Sequence, residues 1–181
     1  MMSVKIHSSN IPAVKIIDQF NSMDHRGAFT KTFHWDSLME QGIQFELRES
    51  FYSISKKDVI RGLHFHKPPF DHAKIVFCSK GAILDVALDL RTDSATYGQH
   101  VMQELSAENH LAMYIPRGFA HGFLSLEEES QTFYFVDGVY DAASDTGILY
   151  RDAGINWPVE NPILSERDLS FPSIHQFQSP F

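Results

Sequence analysis

Apolar residues in this chain occur in short runs broken by turn residues, and almost nowhere hold a helical spacing long enough for a stable helix. That punctuation is an all-β signature. The runs predict strands over Val14–Ile17, Phe29–Phe33, Phe45–Ser53, Lys74–Cys78, Ala82–Leu90, His100–Leu105, His110–Ile115, Ala120–Leu126 and Gln131–Val136. Within Leu84–Leu90 the alternation is explicit: Val86, Leu88 and Leu90 fall on one face, and Asp85, Ala87 and Asp89 on the other. Helical signals are confined to Asp36–Gln41 and to the turn Ser165–Asp168. Many short strands with closely spaced turns predict a sandwich or barrel, with a small ligand held in its mouth or interior. No repeat and no interior linker appears, so residues 1–181 are expected to form one domain.

Composition excludes several function classes. The net charge of −8 argues against a nucleic-acid partner, which selects a basic surface. It leaves room for a small anion held by a few placed Arg and Lys residues. The single cysteine, Cys78, precludes an intrachain disulfide and sits in the apolar run Ile75-Val76-Phe77, which reads as a packed thiol. The N-terminus lacks a continuous apolar signal region, and no stretch of 18 apolar residues predicts a membrane span. The expected location is the cytoplasm, with neither membrane nor nucleic acid as partner.

Two segments carry the chemistry, Arg61-Gly62-Leu63-His64-Phe65-His66 and Pro116-Arg117-Gly118-Phe119-Ala120-His121-Gly122-Phe123. The PxGxxH of the second resembles the second motif of the cupin superfamily, and the HxH of the first resembles part of its first motif. The resemblance implies a cupin-type jelly-roll β-barrel with His64, His66 and His121 in one mouth. Clustered imidazoles suit metal binding or acid–base catalysis. Asp71 could complete a metal site, but the usual glutamate is absent, and a nearby Lys74 would repel a cation.

The chain also resembles the dTDP-4-dehydrorhamnose 3,5-epimerase family. The matching stretches include DHRGAF (24–29), VIRGLHFH (59–66), GAILDVALDLRTDSATYG (81–98), YIPRGFAHGFLSL (114–126) and PILSERD (162–168). The resemblance implies a metal-free, cofactor-free epimerase that inverts C3, C5 or both in a nucleoside-diphosphate-linked 4-keto sugar through an enolate. It implies His64 as base, Asp168 as the carboxylate orienting it, Lys74 at the enolate oxygen and Tyr134 as acid. His121 would line the site, with Asp85 supporting it or Lys74. Arg26 and Arg61 are expected at the diphosphate, and Phe29, Lys31, Glu49 and His66 at the substrate. Family members are dimers that exchange N-terminal strands, so a homodimer is expected.

Five positions depart from the family pattern. Lys31, Glu49, Phe51 and His66 stand where the family carries Glu, Gln, Asn and Gln, and Val139 stands where an aromatic stacks on the base. A lysine only donates hydrogen bonds and cannot accept the N3–H of thymine as a glutamate does. These departures predict a best substrate built on a nucleotide other than dTDP.

Overall fold

The computed structural model describes residues 4–181. Two antiparallel sheets face each other in a jelly-roll barrel. The six-stranded sheet has the order β1 (Lys5–Ser8), β2 (Lys15–Asp18), β10 (Leu111–Ile115), β7 (Lys74–Lys80), β12 (Ser130–Val136) and β5 (Glu49–Ser55). The five-stranded sheet runs β13 (Asp145–Gly147), β6 (Ile60–His66), β11 (Phe119–Ser125), β8 (Ala82–Asp89) and β9 (His100–Ser106). A separate hairpin joins β3 (Phe20–Asp24) to β4 (Gly27–Lys31), and the helices are α1 (Trp35–Glu40) and α2 (Glu166–Leu169).

Successive side chains on a strand point to opposite faces, so one inner and one outer set can be read along each strand. The inner set, including Val76, Ile83, Ala87, Met113, Phe119 and Phe123, packs between the sheets. Outside the five-stranded sheet, Leu63, Phe65, Val86, Leu88 and Leu90 are covered by Ile174, Phe177 and Phe181 of the C-terminal segment. Outside the other sheet, Ile75, Phe77, Phe133 and Phe135 are covered by Leu38, Ile43 and Phe45. The alternation of Val86, Leu88 and Leu90 against Asp85 and Ala87 therefore holds, but the face carrying Asp85 is the barrel interior. Asp85 is fully buried.

The nine expected strands correspond to observed strands, with boundary shifts. The largest is at Phe45–Ser53, where the strand runs Glu49–Ser55 and Phe45 instead covers the sheet exterior. Four strands were not anticipated: β1, β3, β13 and β6, which carries His64. Cys78 is buried in the core, and its thiol is pushed up to about 11, chiefly by burial.

β6 and β11 are brought unusually close. A Cβ on Gly62 would lie 2.6 Å from the Gly122 Cα, and Gly62 has φ +126°, a conformation that side-chain-bearing residues rarely adopt. This approach sets His64 directly across from His121 in the register.

Candidate active site

The inner faces of β5, β6, β7, β11 and β12 enclose a cavity of about 290 Å³ that opens at one end of the barrel. Strand periodicity decides which residues enter it. Leu63 and Phe65 point outward, so His64 and His66 point in; Val76 faces the core, so Lys74 does too. Phe133 and Phe135 pack outside, which turns Tyr134 inward.

His64 Nε2 lies 2.8 Å from Asp168 Oδ1, and Asp168 Oδ2 accepts the Gly62 N–H at 3.1 Å. α2 holds Asp168 in place, because Ser165 caps the helix by accepting the Asp168 N–H at 3.1 Å. Burial alone would raise the Asp168 pKa. Hydrogen bonds from His64, Gly62 and Ser165, with the attraction of His64, hold it below the ordinary carboxylate value. An ionised carboxylate only accepts, so in the neutral imidazole the proton sits on His64 Nε2 and the lone pair on Nδ1. A second imidazole–carboxylate pair lies at His121, whose Nε2 is 2.7 Å from the buried Asp85 Oδ1.

Lys74 is desolvated by its surroundings, which lower its pKa from 10.5 to about 8 against the pull of Asp145 and Asp85. Burial pushes the Asp85 carboxyl up, opposed by His121 and Lys74. It also raises the Tyr134 phenol well above its ordinary 10.0. The Tyr134 ring stacks on Phe51 with centroids 4.7 Å apart and meets the His121 ring edge-on at 5.8 Å. This places a lone-pair-bearing imidazole, a partly desolvated ammonium and a protonated phenol around one small space, a set able to remove and return protons beside a developing oxyanion.

Of the residues expected at the site, His64, Lys74, Tyr134, His121, His66, Glu49 and Arg61 line the cavity, and Asp85 and Asp168 reach it through their histidines. Arg61 donates to Ser55 Oγ at 3.0 Å and to the Ile54 carbonyl at 3.2 Å. Arg26 and Phe29 lie elsewhere, on the β3–β4 hairpin, with Arg26 paired to Asp24. Lys31 lines a small crevice with Phe33 and His34. Asp71 faces a separate surface groove, and the three histidines form no metal centre: among the described residues, no group of three or more His, Cys, Asp or Glu side chains is arranged to hold a metal ion. Val139 opens onto that same groove, while its neighbour Tyr140 lines the cavity and meets the His66 ring edge-on at 5.5 Å. Sequence reasoning missed Tyr140, His72, Asp145 and Arg167, all lining the cavity, with Arg167 and Asp145 in an ion pair at 2.8 Å. Only the pairing of β13 with β6 brings Asp145 beside His66.

Comparison with known proteins gives one consistent family. A family model described as dTDP-4-dehydrorhamnose 3,5-epimerase matches residues 8–176. A protein of that name from Shigella flexneri is 38% identical over 170 residues, covering 92% of this chain and 94% of its own. The crystal structure of a Bacillus anthracis dTDP-4-dehydrorhamnose 3,5-epimerase with TDP and PPi bound superposes with a TM-score of 0.92 at 37% identity, covering 95% of this chain and 100% of that one. A Legionella pneumophila epimerase in complex with dTDP-4-keto-L-rhamnose gives a TM-score of 0.92 at 33% identity, covering 97% and 95%.

The His64–Asp168 geometry makes a spectroscopic prediction. Imidazole ¹⁵N shifts should report the Nε2–H tautomer for His64 in the native protein. In Asp168→Asn the side chain can offer an amide donor instead, and the signal should move toward a mixed tautomer; an unchanged spectrum would contradict the assigned role.

Proposed function

The chain belongs to the dTDP-4-dehydrorhamnose 3,5-epimerase family, and we propose that it inverts C3, C5 or both in a dTDP-linked 4-keto-6-deoxyhexose through the cavity bounded by His64, Lys74 and Tyr134. The observation that carries this reading is that the candidate base and acid come from opposing sheets, His64 from β6 and Tyr134 from β12, and line one cavity. Inversion requires proton removal on one face of a planar intermediate and delivery on the other, and two facing sheets supply two faces.

The reaction runs in two proton transfers. His64 Nδ1 takes the proton from the carbon beside the C4 ketone; the C–H electron pair moves into the ring to give an enolate. The Lys74 ammonium lies where it can stabilise the developing negative charge on the ketone oxygen, in surroundings that make such a contact strong. The Tyr134 O–H then protonates the carbon from the other side, the enolate collapses to the ketone, and the resulting phenolate recovers a proton as the imidazolium gives its own away. A phenol pushed above its ordinary pKa remains protonated at neutral pH, as an acid must.

The nucleotide is read as dTDP because the Shigella, Bacillus and Legionella relatives are dTDP-sugar epimerases by name. One of the departures that suggested another base, Val139, lies outside the cavity. The decisive assay is deuterium uptake from heavy water into dTDP-, UDP-, CDP- and GDP-linked 4-keto-6-deoxyhexoses. The dTDP sugar should show the highest kcat/KM. His64→Ala should abolish uptake, and Tyr134→Phe should keep uptake while inversion slows by about 10²–10⁴-fold. Uptake at the native rate in a folded His64→Ala protein would refute the reading.

Lys74 gives the pH dependence. Its folded-state pKa is lowered from 10.5 to about 8, so activity that needs the ammonium should fall as pH rises through about 8. Stability runs the other way: the penalty for the desolvated charge is present below about pH 8 and fades as pH climbs toward 10.5. Lys74→Arg, charged throughout, should lose the alkaline limb at a reduced rate; a limb that stays near pH 8 would assign it to another group.

The assembly is read as a homodimer, in which the β3–β4 hairpin of one protomer brings Arg26, Phe29 and Lys31 toward the cavity of its partner. The supporting features are the edge position of β5, with Tyr52 and Ile54 each 56% exposed, and the hairpin's Met23 at 77% and Phe29 at 57%. Sedimentation equilibrium should give twice the chain mass, and a monomer would overturn this assignment. The whole chain is read as one domain acting in the cytoplasm; no helix among the described residues is long and apolar enough to cross a membrane.

A further inference from the structure

Phe51 occupies a position that the acid–base chemistry does not by itself require. It lies on β5, directly across from Tyr134 in the β5–β12 register. Its ring lies against the Tyr134 ring at 4.7 Å with planes only 20° apart, and it is 48% exposed where Tyr134 is 8% exposed. On the other side, the His121 ring meets Tyr134 edge-on at 5.8 Å, and His121 is itself fixed by the buried Asp85. Tyr134 is thus clamped between an imidazole held from inside the barrel and a phenyl ring that forms the outer wall of the cavity. Where the resemblance to the family places a polar asparagine, this chain presents an apolar face.

We propose that Phe51 is a positioning residue for the acid: it holds the Tyr134 ring in one orientation and keeps water from its hydroxyl, so that the enolate is protonated from the Tyr134 face alone. This rests on the reading of Tyr134 as acid given above. The enolate formed when His64 removes a proton can be reprotonated by His64 on the original face, which restores the starting centre, or by Tyr134 on the opposite face, which inverts it. The ratio of the two outcomes depends on whether the phenol is aimed at the carbon throughout the lifetime of the enolate. A strand tyrosine freed on one side can turn about its side-chain bonds, and water that reaches the hydroxyl competes for its hydrogen bond. The cross-strand stack opposes both.

The experiment is solvent deuterium uptake per inversion event, measured with KM on the dTDP-linked 4-keto-6-deoxyhexose for wild type, Phe51→Ala, Phe51→Asn and Phe51→Tyr. Phe51→Ala and Phe51→Asn should raise uptake per inversion by roughly tenfold, about the most that one aromatic stack can contribute, with KM little changed. Phe51→Tyr, which keeps the stack, should restore the native ratio. Because Phe51 sits half-exposed on an edge strand, the polar Phe51→Asn variant keeps the test open if Phe51→Ala folds poorly. A native uptake-to-inversion ratio in both variants would overturn the inference, as would an effect confined to KM, which would make Phe51 a contact for the nucleotide instead. Absence of any uptake in the wild type would instead overturn the epimerase chemistry proposed for the cavity.

Discussion

Outside β5, the outer faces of both sheets are largely covered, and that constraint shapes the polar groups of the site. Aromatic and aliphatic side chains on the exteriors are packed under the C-terminal segment on one side and under the stretch from Phe33 to Phe45 on the other. Charged groups that point inward therefore have no route to bulk water except the open end of the barrel. A buried polar group without a partner costs about 1–3 kcal/mol, and two of the inward histidines come with carboxylates, His121 with Asp85 and His64 with Asp168, while both ring nitrogens of the third, His66, are buried without a hydrogen-bond partner. The pairs fix the ring orientation and tautomer of each imidazole, which is the property that a proton-transfer site needs.

The same burial tunes the remaining groups in directions that suit their roles. Loss of solvent disfavours charge, so it lowers the pKa of Lys74 and raises that of Tyr134. The lysine remains cationic near neutral pH because Asp145 and Asp85 offset part of the desolvation. It is less solvated than a surface lysine, so its contact with a developing oxyanion is stronger than the same contact in water would be. The phenol stays protonated. One physical cause thus moves both groups, on neighbouring strands β7 and β12, in the directions that the proposed roles of stabiliser and acid require.

The legibility of the molecule from its sequence divides along the same lines. Long strands with clear alternation, such as β8 and β12, could be placed because one of their two faces is made of large apolar residues. β6 escaped notice because a register irregularity interrupts its alternation: Arg61, His64 and His66 line the cavity while Leu63 and Phe65 face outward, so the run reads as a motif and not as a strand. His64, Lys74, Tyr134 and His121 were legible through motif resemblance. Tyr140, His72, Asp145 and Arg167 were not, since they sit in connections, a three-residue strand and a short helix, where no period marks the inward face. Arg26, Phe29 and Lys31 were expected beside the others, but the β3–β4 hairpin stands apart from both sheets of its own chain.

The C-terminal segment joins the barrel exterior to the site. Asp168 is 104 residues from His64 in the chain, yet α2 delivers it to the imidazole while Phe177 and Phe181 bury themselves against Phe65 on the outer face of the same strand. The Phe171 ring also meets the His64 ring edge-on at 5.7 Å, and Arg167 lies over the Phe171 ring. The docking residues of the segment are partly buried, so each contributes less than the roughly 1.5–3 kcal/mol of a fully buried large side chain. The Asp168–His64 hydrogen bond adds orientation more than energy. The segment that orients His64, the proposed base, is thus the same one whose apolar side chains complete the barrel exterior.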